Sequence, residues 1–137
     1  MITDRKIYVM QRIQQAVVKG VCTRYVTIET DDVVQVQTLV RKFNKKYEAD
    51  VSAPIKSRRR KYGEATTTLF VYRRPEKRKP DAKAYWLVLL VSDGKGLVET
   101  EDLAAVDNPR RRLTLDGYEL VHDGKGWSWR MTRATYA

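Results

Sequence analysis

Residues 84–91 read AYWLVLLV, the longest apolar run in the chain. Aromatic and β-branched side chains favour a strand, and because every position from Tyr85 to Val91 is apolar, both faces of that strand should be covered. The run has the length of a buried strand and is far shorter than the ~18 residues that a membrane-spanning helix needs. We therefore expect this strand to lie at the centre of a sheet.

The preceding residues 56–79, KSRRRKYGEATTTLFVYRRPEKRK, contain ten Lys and Arg but only two acids. This gives the stretch a charge of +8, whereas the other 113 residues carry 17 basic and 15 acidic side chains in a chain whose total is +10. Residues 65–73 between the two basic blocks are rich in Thr, Val and aromatic residues and predict a strand. We expect that strand to carry a cationic loop at each end, residues 48–63 and 73–83, and to hold a polyanion.

The remaining pattern predicts two further helices and a first strand before this region. An apolar residue recurs every three or four positions in residues 5–19, which predicts an amphipathic leading helix whose buried stripe is Ile7, Met10, Ile13 and Val17. Residues 24–29 alternate in polarity as a strand does, and residues 33–47 repeat as a helix for which Asp32 supplies the N-terminal cap.

After the central strand, the sequence predicts a turn at residues 92–96 and a short helix over 101–106, capped by Thr100. The end of the chain, LTLDGYELVHDGKGWSWRMT, predicts a β-hairpin meander, since Asp-Gly pairs punctuate its β-patterned runs.

Together these elements predict an α+β fold in a single domain of residues 1–137. It consists of a leading helix (residues 1–20), a β-α-β-β-α-β core (residues 21–116) and a C-terminal hairpin extension (residues 117–137). The order of the core elements is that of ferredoxin-like folds.

Composition narrows the functional classes. The pI of about 9.8 suits a nucleic acid or another acidic partner. A single Cys and a single His cannot form a disulfide or a Cys/His zinc cluster, and no cofactor motif is present. The N-terminal residues have no continuous hydrophobic region, so they predict neither a secretory signal nor a membrane partner, and we expect a cytoplasmic protein.

The candidate binding residues are the clustered cations, because Arg and Lys neutralise phosphates and Arg can do so through two hydrogen bonds. The proposed nucleic-acid-binding residues are Lys56, Arg58, Arg59, Arg60, Lys61, Arg73, Arg74, Lys77, Arg78, Lys79, Arg110, Arg111 and Arg112. Aromatic residues beside such cations can stack on the bases of a single strand. The candidates for stacking are Tyr62, Phe70, Tyr72, Trp127 and Trp129.

Two alternatives to a non-enzymatic binding protein stay open. A metal-dependent nuclease or nucleic-acid-processing enzyme would need carboxylates near these cations, and Glu48, Asp50 and Glu64 are the candidates. An adaptor would use the basic loops to dock an acidic protein partner. No Walker A loop is present and His122 has no adjacent catalytic partner beyond Asp123, so the sequence favours binding over catalysis. It leaves open the choice between DNA and RNA, and the oligomeric state.

Several short segments resemble uncharacterised small basic proteins encoded on bacterial plasmids and integrative elements. These segments are Thr23–Val26 (TRYV), Ser57–Arg60 (SRRR), Gly63–Ala65 (GEA), Gly117–Leu120 (GYEL) and Trp127–Thr132 (WSWRMT). The resemblance implies a role in the maintenance, replication, transfer or defence of a mobile element, with further protein partners in such a complex. It carries no catalytic residues.

Overall fold

The computed structural model describes residues 2–75 and 84–132, which form an α+β fold of three α-helices and two sheets. The elements are β1 (Ile2–Thr3), α1 (Lys6–Val18), β2 (Arg24–Thr30), α2 (Val33–Tyr47), α3 (Ala53–Lys61), β3 (Thr67–Arg73), β4 (Tyr85–Val91), a 3-10 turn (Leu97–Thr100), β5 (Ala104–Ala105), β6 (Thr114–Leu115), β7 (Tyr118–His122) and β8 (Trp127–Met131). Within the described ranges, no helix is long and apolar enough to cross a membrane.

The apolar run of the sequence is the middle strand of the main sheet. The five strands follow the order β1-β3-β4-β2-β5, and β4 pairs antiparallel with β2 and β3 along its whole length. Residues 86–91 are all buried. The predicted central position of this strand is therefore confirmed, and its continuous apolar pattern follows from its having two covered faces.

One face of the main sheet packs against α1. Residues Trp86, Val88 and Leu90 of β4 point to this side and share a core with the buried residues of the helix. The buried stripe of α1 consists of Val9, Met10, Ile13 and Val17. The prediction that Ile7 belongs to this stripe was wrong, because Ile7 lies in the first turn and is 66% exposed.

The opposite face packs against α2. Leu89 and Val91 of β4 contact a cluster that contains Phe43 and Tyr47 of the helix. Asp32 caps the helix as predicted, since its Oδ1 accepts a hydrogen bond of 2.9 Å from the backbone N–H of Val34. The helix thus begins at the residue that the capping signal predicts. It covers one of the two faces of the central strand.

The C-terminal residues form a three-stranded antiparallel sheet, β6-β7-β8, in which the predicted hairpin is β7-β8. The turn before β7 has Asp116 and Gly117 at positive φ (42° and 87°), which is the conformation that a two-residue hairpin requires. Leu115 and Leu120 are buried in the same core as α1. This sheet therefore packs, together with α1, on one face of the main sheet, opposite the face that α2 covers.

Two expected segments differ from the structure. Residues 48–63, predicted as a long loop, contain α3, which begins after Ser52 with Pro54 in its first turn, a position where proline is tolerated. Residues 101–106, predicted as a helix, contain the edge strand β5, paired with β2. The Thr100 hydroxyl donates to the carbonyl of Leu97 within the 3-10 turn rather than capping a following helix. The observed core order is thus β-α-α-β-β followed by the 3-10 turn and β5.

A cluster of charges ties the C-terminal sheet to the main sheet. The carboxylate of Asp116 contacts the Arg74 guanidinium just after β3, and the Lys6 ammonium of α1 lies 3.4 Å from it. Lys6 also donates to the Asp116 backbone carbonyl at 2.6 Å. We call these three residues the Asp116 clamp.

Candidate nucleic-acid interface

Helix α3 is attached to the protein through polar contacts of its inner side. None of its residues is buried. The Lys56 ammonium donates to the carbonyl of Ala49 at 2.8 Å, and the Arg60 guanidinium, one turn later on the same side, donates to the Thr66 hydroxyl at 3.2 Å. Burial, together with the charge of Arg60, lowers the pKa of Lys56, and the nearby Asp50 partly offsets this effect. These two cations therefore have structural roles.

Two further cations of α3, Arg58 and Lys61, point away from this attachment. Residues three and four apart lie on the same side of a helix, so Arg58, Lys61 and Tyr62 are neighbours on the surface opposite Lys56 and Arg60. Arg58 and Lys61 are exposed and have no acidic partner in the part of the chain that the structure describes. We call Arg58, Lys61 and Tyr62 the α3 outer face.

The helix ends in a glycine cap that fixes Tyr62. Gly63 has a positive φ of 77°, its N–H donates to the Arg60 carbonyl, and the Glu64 N–H donates to the Arg59 carbonyl, both at 3.1 Å. This is the Schellman arrangement, which satisfies carbonyls that the helix end leaves free. Tyr62 itself is 80% exposed.

A cleft of about 250 Å³ adjoins the outer face, between α3, the end of α2 and the turn after β4. Three cations line it, namely Lys46, Arg59 and Lys95, together with Glu48 and Glu64. The Arg59 guanidinium lies 2.9 Å from the Glu48 carboxylate, so one acid is already neutralised. Lys46 and Lys95 remain beside the single carboxylate of Glu64, so the cleft keeps a net charge of about one positive unit.

The far wall of the cleft is held by close backbone packing. The N–H of Ala65 donates to the Lys95 carbonyl, and the N–H of Lys95 donates to the Gly63 carbonyl, both at 3.0 Å. Gly94 has a φ of 129°, and a Cβ there would lie 2.6 Å from the Ala65 nitrogen. Only glycine permits this approach. Lys95 was missed as a site residue because its Gly-Lys-Gly sequence indicates only a turn.

The last turns of α2 add further cations, some of which are already paired. The Lys42 ammonium lies 3.1 Å from the Glu101 carboxylate, which also accepts a hydrogen bond of 2.5 Å from the Tyr47 hydroxyl. The Tyr47 hydrogen bond is the largest influence that lowers the pKa of Glu101, and Lys42 acts in the same direction. Lys45 and Lys46 are exposed, and no acid pairs with them in the described ranges.

The cations after β3 lie away from the α3 outer face. Arg73 ends the strand, so it is six residue steps from Thr67 at the other end, roughly 20 Å at ~3.3 Å per residue. Arg73 is exposed, whereas Arg74 belongs to the Asp116 clamp and lies 5.0 Å from the Trp86 ring centre. The two ends of the strand thus form separate surfaces. Lys77, Arg78 and Lys79 lie outside the described residues.

The Arg110–Arg112 cluster follows β5, at the opposite edge of the sheet from β1 and β3. Arg111 lies 3.3 Å from the Asp102 carboxylate, and Arg112 lies 3.8 Å from that of Glu119. Arg110 is exposed. Among the described residues, the cations of α3, Arg73 and Arg74, and Arg110–Arg112 therefore do not line one common groove.

Four of the five candidate stacking residues pack against the protein. Tyr72 is 3% exposed and Phe70 is partly buried, and both face α1. Trp129 donates from its indole N–H to the Met10 carbonyl at 3.0 Å. Trp127 packs against the same core. A buried ring such as that of Tyr72 cannot stack on a base, which corrects that prediction and leaves Tyr62 as the exposed candidate.

The acidic candidates do not form a cluster of three metal ligands in the described ranges. Glu48 and Glu64 line the same cleft, but the Glu48 carboxylate pairs with Arg59. Nowhere in residues 2–75 and 84–132 do three Asp, Glu, His or Cys side chains come together as metal ligands would. His122 is exposed, and its Nδ1 accepts a hydrogen bond from the backbone of the following turn.

Comparisons with known proteins do not assign a function: no family model, no curated protein and no solved structure matches the chain. The charge distribution and the geometry around α3 are therefore the observations from which function has to be inferred.

Proposed function

We propose that this protein binds nucleic acid through the α3 outer face and the adjoining cleft. The observation that carries the proposal is a helix with no buried residue whose inward cations hold it in place and whose outward cations, Arg58 and Lys61, are unpaired among the described residues. Core packing does not explain such a helix. A phosphate backbone is the ligand that clustered, exposed Arg and Lys side chains recognise best.

The size and layout of the surface favour a polymer over a small molecule. Pockets for small molecules are usually about 300–1,000 Å³ and mostly apolar, whereas this cleft has a volume near 250 Å³ and is lined by five charged side chains. The cations extend from the cleft along the outer side of α3. An extended polyanion can contact them all at once, and each contact releases counterions.

The proposal places the protein in the cytoplasm, within the mobile-element setting that the sequence resemblance implies.

The proposal also relates the core to ferredoxin-like domains. The parallel strands β2 and β3 flank the antiparallel β4, which is a split β-α-β arrangement. In this relation, the 3-10 turn stands in place of the second helix, and β5, antiparallel to β2, takes the place of the fourth strand.

The test is fluorescence anisotropy with labelled single-stranded DNA, duplex DNA and RNA over a salt series. The double variant Arg58→Ala/Lys61→Ala should weaken binding and lower the steepness of the log K against log salt plot by about 1.4–1.8, since each lost phosphate contact contributes ~0.7–0.9. The matched control, Lys19→Ala/Lys125→Ala, removes the same charge from the α1 and β7-β8 layer and should change both quantities much less.

Each outcome of this experiment supports or refutes one class of function. Absence of binding to all three probes at low salt would refute the proposal. Cleavage of a probe in the presence of Mg²⁺ or Mn²⁺ would instead support the nuclease alternative. Binding to an acidic peptide but to no oligonucleotide would support an adaptor. Unfolding of the double variant would show that the two outward cations are structural and would overturn the assignment.

A further inference from the structure

We infer that the ligand is single-stranded and that the Tyr62 ring stacks on one of its bases. This inference rests on the proposed function, because it specifies which form of nucleic acid the α3 outer face takes. Tyr62 is 80% exposed, whereas the other aromatic candidates pack against the protein. Its ring therefore has no part in the core.

The position of Tyr62 among the cations supports this assignment. Arg58 lies four residues before Tyr62 and three before Lys61, so both the aromatic ring and the Lys61 ammonium are neighbours of Arg58 on the helix surface. Arg58 and Lys61 are themselves three apart, which places their Cβ atoms roughly 5–6 Å from each other. That spacing suits contacts to neighbouring phosphates while the base between them turns towards the ring.

The local backbone fixes the position from which the Tyr62 ring projects. Tyr62 is the last residue before the Gly63 cap, and its N–H donates to the Arg59 carbonyl at 3.0 Å. The Glu64 segment that follows is fixed by its pairing with the turn at Lys95. A ring on an anchored backbone loses less conformational freedom when it stacks than a ring on a mobile segment would.

Stacking discriminates between single strands and duplexes. Base–aromatic stacking in single-strand-binding proteins is sequence-tolerant because every base offers a flat face, and it is lost when the bases are already stacked inside a helix. Cations alone would bind both forms. An exposed ring within the cationic surface therefore points to the single strand.

The experiment compares a labelled 12-nucleotide oligothymidine with a duplex of the same length. Replacement Tyr62→Leu should lower affinity for the single strand by about 5- to 150-fold, the range expected for the loss of one stacked base. The control Tyr62→Phe keeps the aromatic ring, and its affinity for the single strand should stay within about twofold of that of the original protein. Because neither change alters charge, the salt dependence should be the same in all three proteins.

The possible results distinguish this inference from the proposed function. If the protein binds the duplex as tightly as the single strand and Tyr62→Leu binds both normally, the stacking role is refuted while nucleic-acid binding stands. If no oligonucleotide binds at low salt, the proposed function fails and the inference fails with it. The assignment is supported if Tyr62→Leu lowers the affinity for the single strand but not for the duplex, and if Tyr62→Phe keeps the original affinity for both.

Discussion

Replacement of Asp116 by Asn removes the negative charge of the Asp116 clamp and changes little else. The side chain keeps its size, and Asn tolerates the left-handed conformation that residue 116 adopts at φ 42°, so the hairpin turn should persist. The hydrogen bond from Lys6 to the backbone carbonyl at position 116 is also retained. The variant therefore isolates the electrostatic contribution of the clamp.

The expected loss follows from the burial of the three groups. The Asp116 side chain is only 11% exposed, while those of Arg74 and Lys6 are about one quarter exposed. Hydrogen bonds to charged groups contribute ~1.5–3 kcal/mol, and removal of one partner from a fully buried pair costs ~3–5 kcal/mol. Because water can hydrate the two cations left behind, we expect a loss of about 2–3 kcal/mol in the free energy of unfolding. That corresponds to a fall in Tm of roughly 6–12 °C for a chain of this size.

The loss should depend on pH in a defined direction. Burial of the Asp116 carboxylate opposes its ionisation, but the hydrogen bond from Arg74 and the charge of Lys6 outweigh that effect and hold its pKa below the ordinary 3.8. A lowered folded-state pKa gives stability that is present above the unfolded-state pKa and is lost as the pH falls through the folded-state value. The stability difference between the two proteins should be constant at pH 6–8 and narrow below about pH 4.

Urea unfolding followed by tryptophan fluorescence at several pH values measures this difference. The control is Asp102→Asn, which removes an aspartate that is 90% exposed and lies 3.3 Å from Arg111. Exposed ion pairs contribute ~0–1 kcal/mol, so this control should lose less than about 0.5 kcal/mol. A loss below that value for Asp116→Asn, or a larger loss that does not vary with pH, would refute the reasoning.

Three further predictions concern the core and the turns. Leu89→Ala, at the buried centre of β4, should cost ~2–5 kcal/mol in urea unfolding, while Leu97→Ala at an exposed position should cost under ~0.5 kcal/mol. Gly94→Ala should cost roughly 3 kcal/mol because its Cβ meets backbone atoms, whereas Gly96→Ala, with open space around it, should be close to neutral; equal losses would contradict the packing argument. Burial raises the pKa of Cys22 to about 12, so iodoacetamide at pH 8 should modify it at least ~100-fold more slowly in the native protein than in urea, and equal rates would refute its burial.

The strands and helices that bury a periodic apolar pattern were predictable from sequence. The continuous run at Tyr85–Val91 identified the central strand, since only a strand covered on both faces has no polar position. The capping residue Asp32 located the start of α2, because its side chain satisfies a backbone N–H that the helix leaves free. In both cases, neighbouring residues in the sequence carry the information, and the element that they specify is formed by those same residues.

Helix α3 could not be predicted from hydrophobic periodicity, because it has no buried side. Its contacts are polar and reach outside the helix, from Lys56 to Ala49 and from Arg60 to Thr66. The signals that could have located it are Pro54 in the first turn and Gly63 at the end, which are typical of the two ends of a helix.

The grouping of the cations could not be derived either, because it depends on strand order. Residues 56–61 and 73–74 are close in sequence but are separated by the length of β3. Arg74 instead meets Asp116, which is 42 positions away and belongs to the other sheet. A count of charges along the sequence treats Arg74 and Asp116 as unpaired, whereas in the folded protein the two side chains form an ion pair.

This distinction between paired and unpaired cations is the basis of the role proposed for α3. A nine-residue helix is marginal on its own in water, and like charges within it lower its stability further. The protein nevertheless holds five Lys and Arg in residues 56–61, with two contacts on the inner side and a glycine cap at the end. A solvated loop would have kept the same charge soluble without any of these contacts. These contacts hold the backbone of Arg58, Lys61 and Tyr62 in one arrangement, and this arrangement is the feature on which the proposed contact with nucleic acid rests.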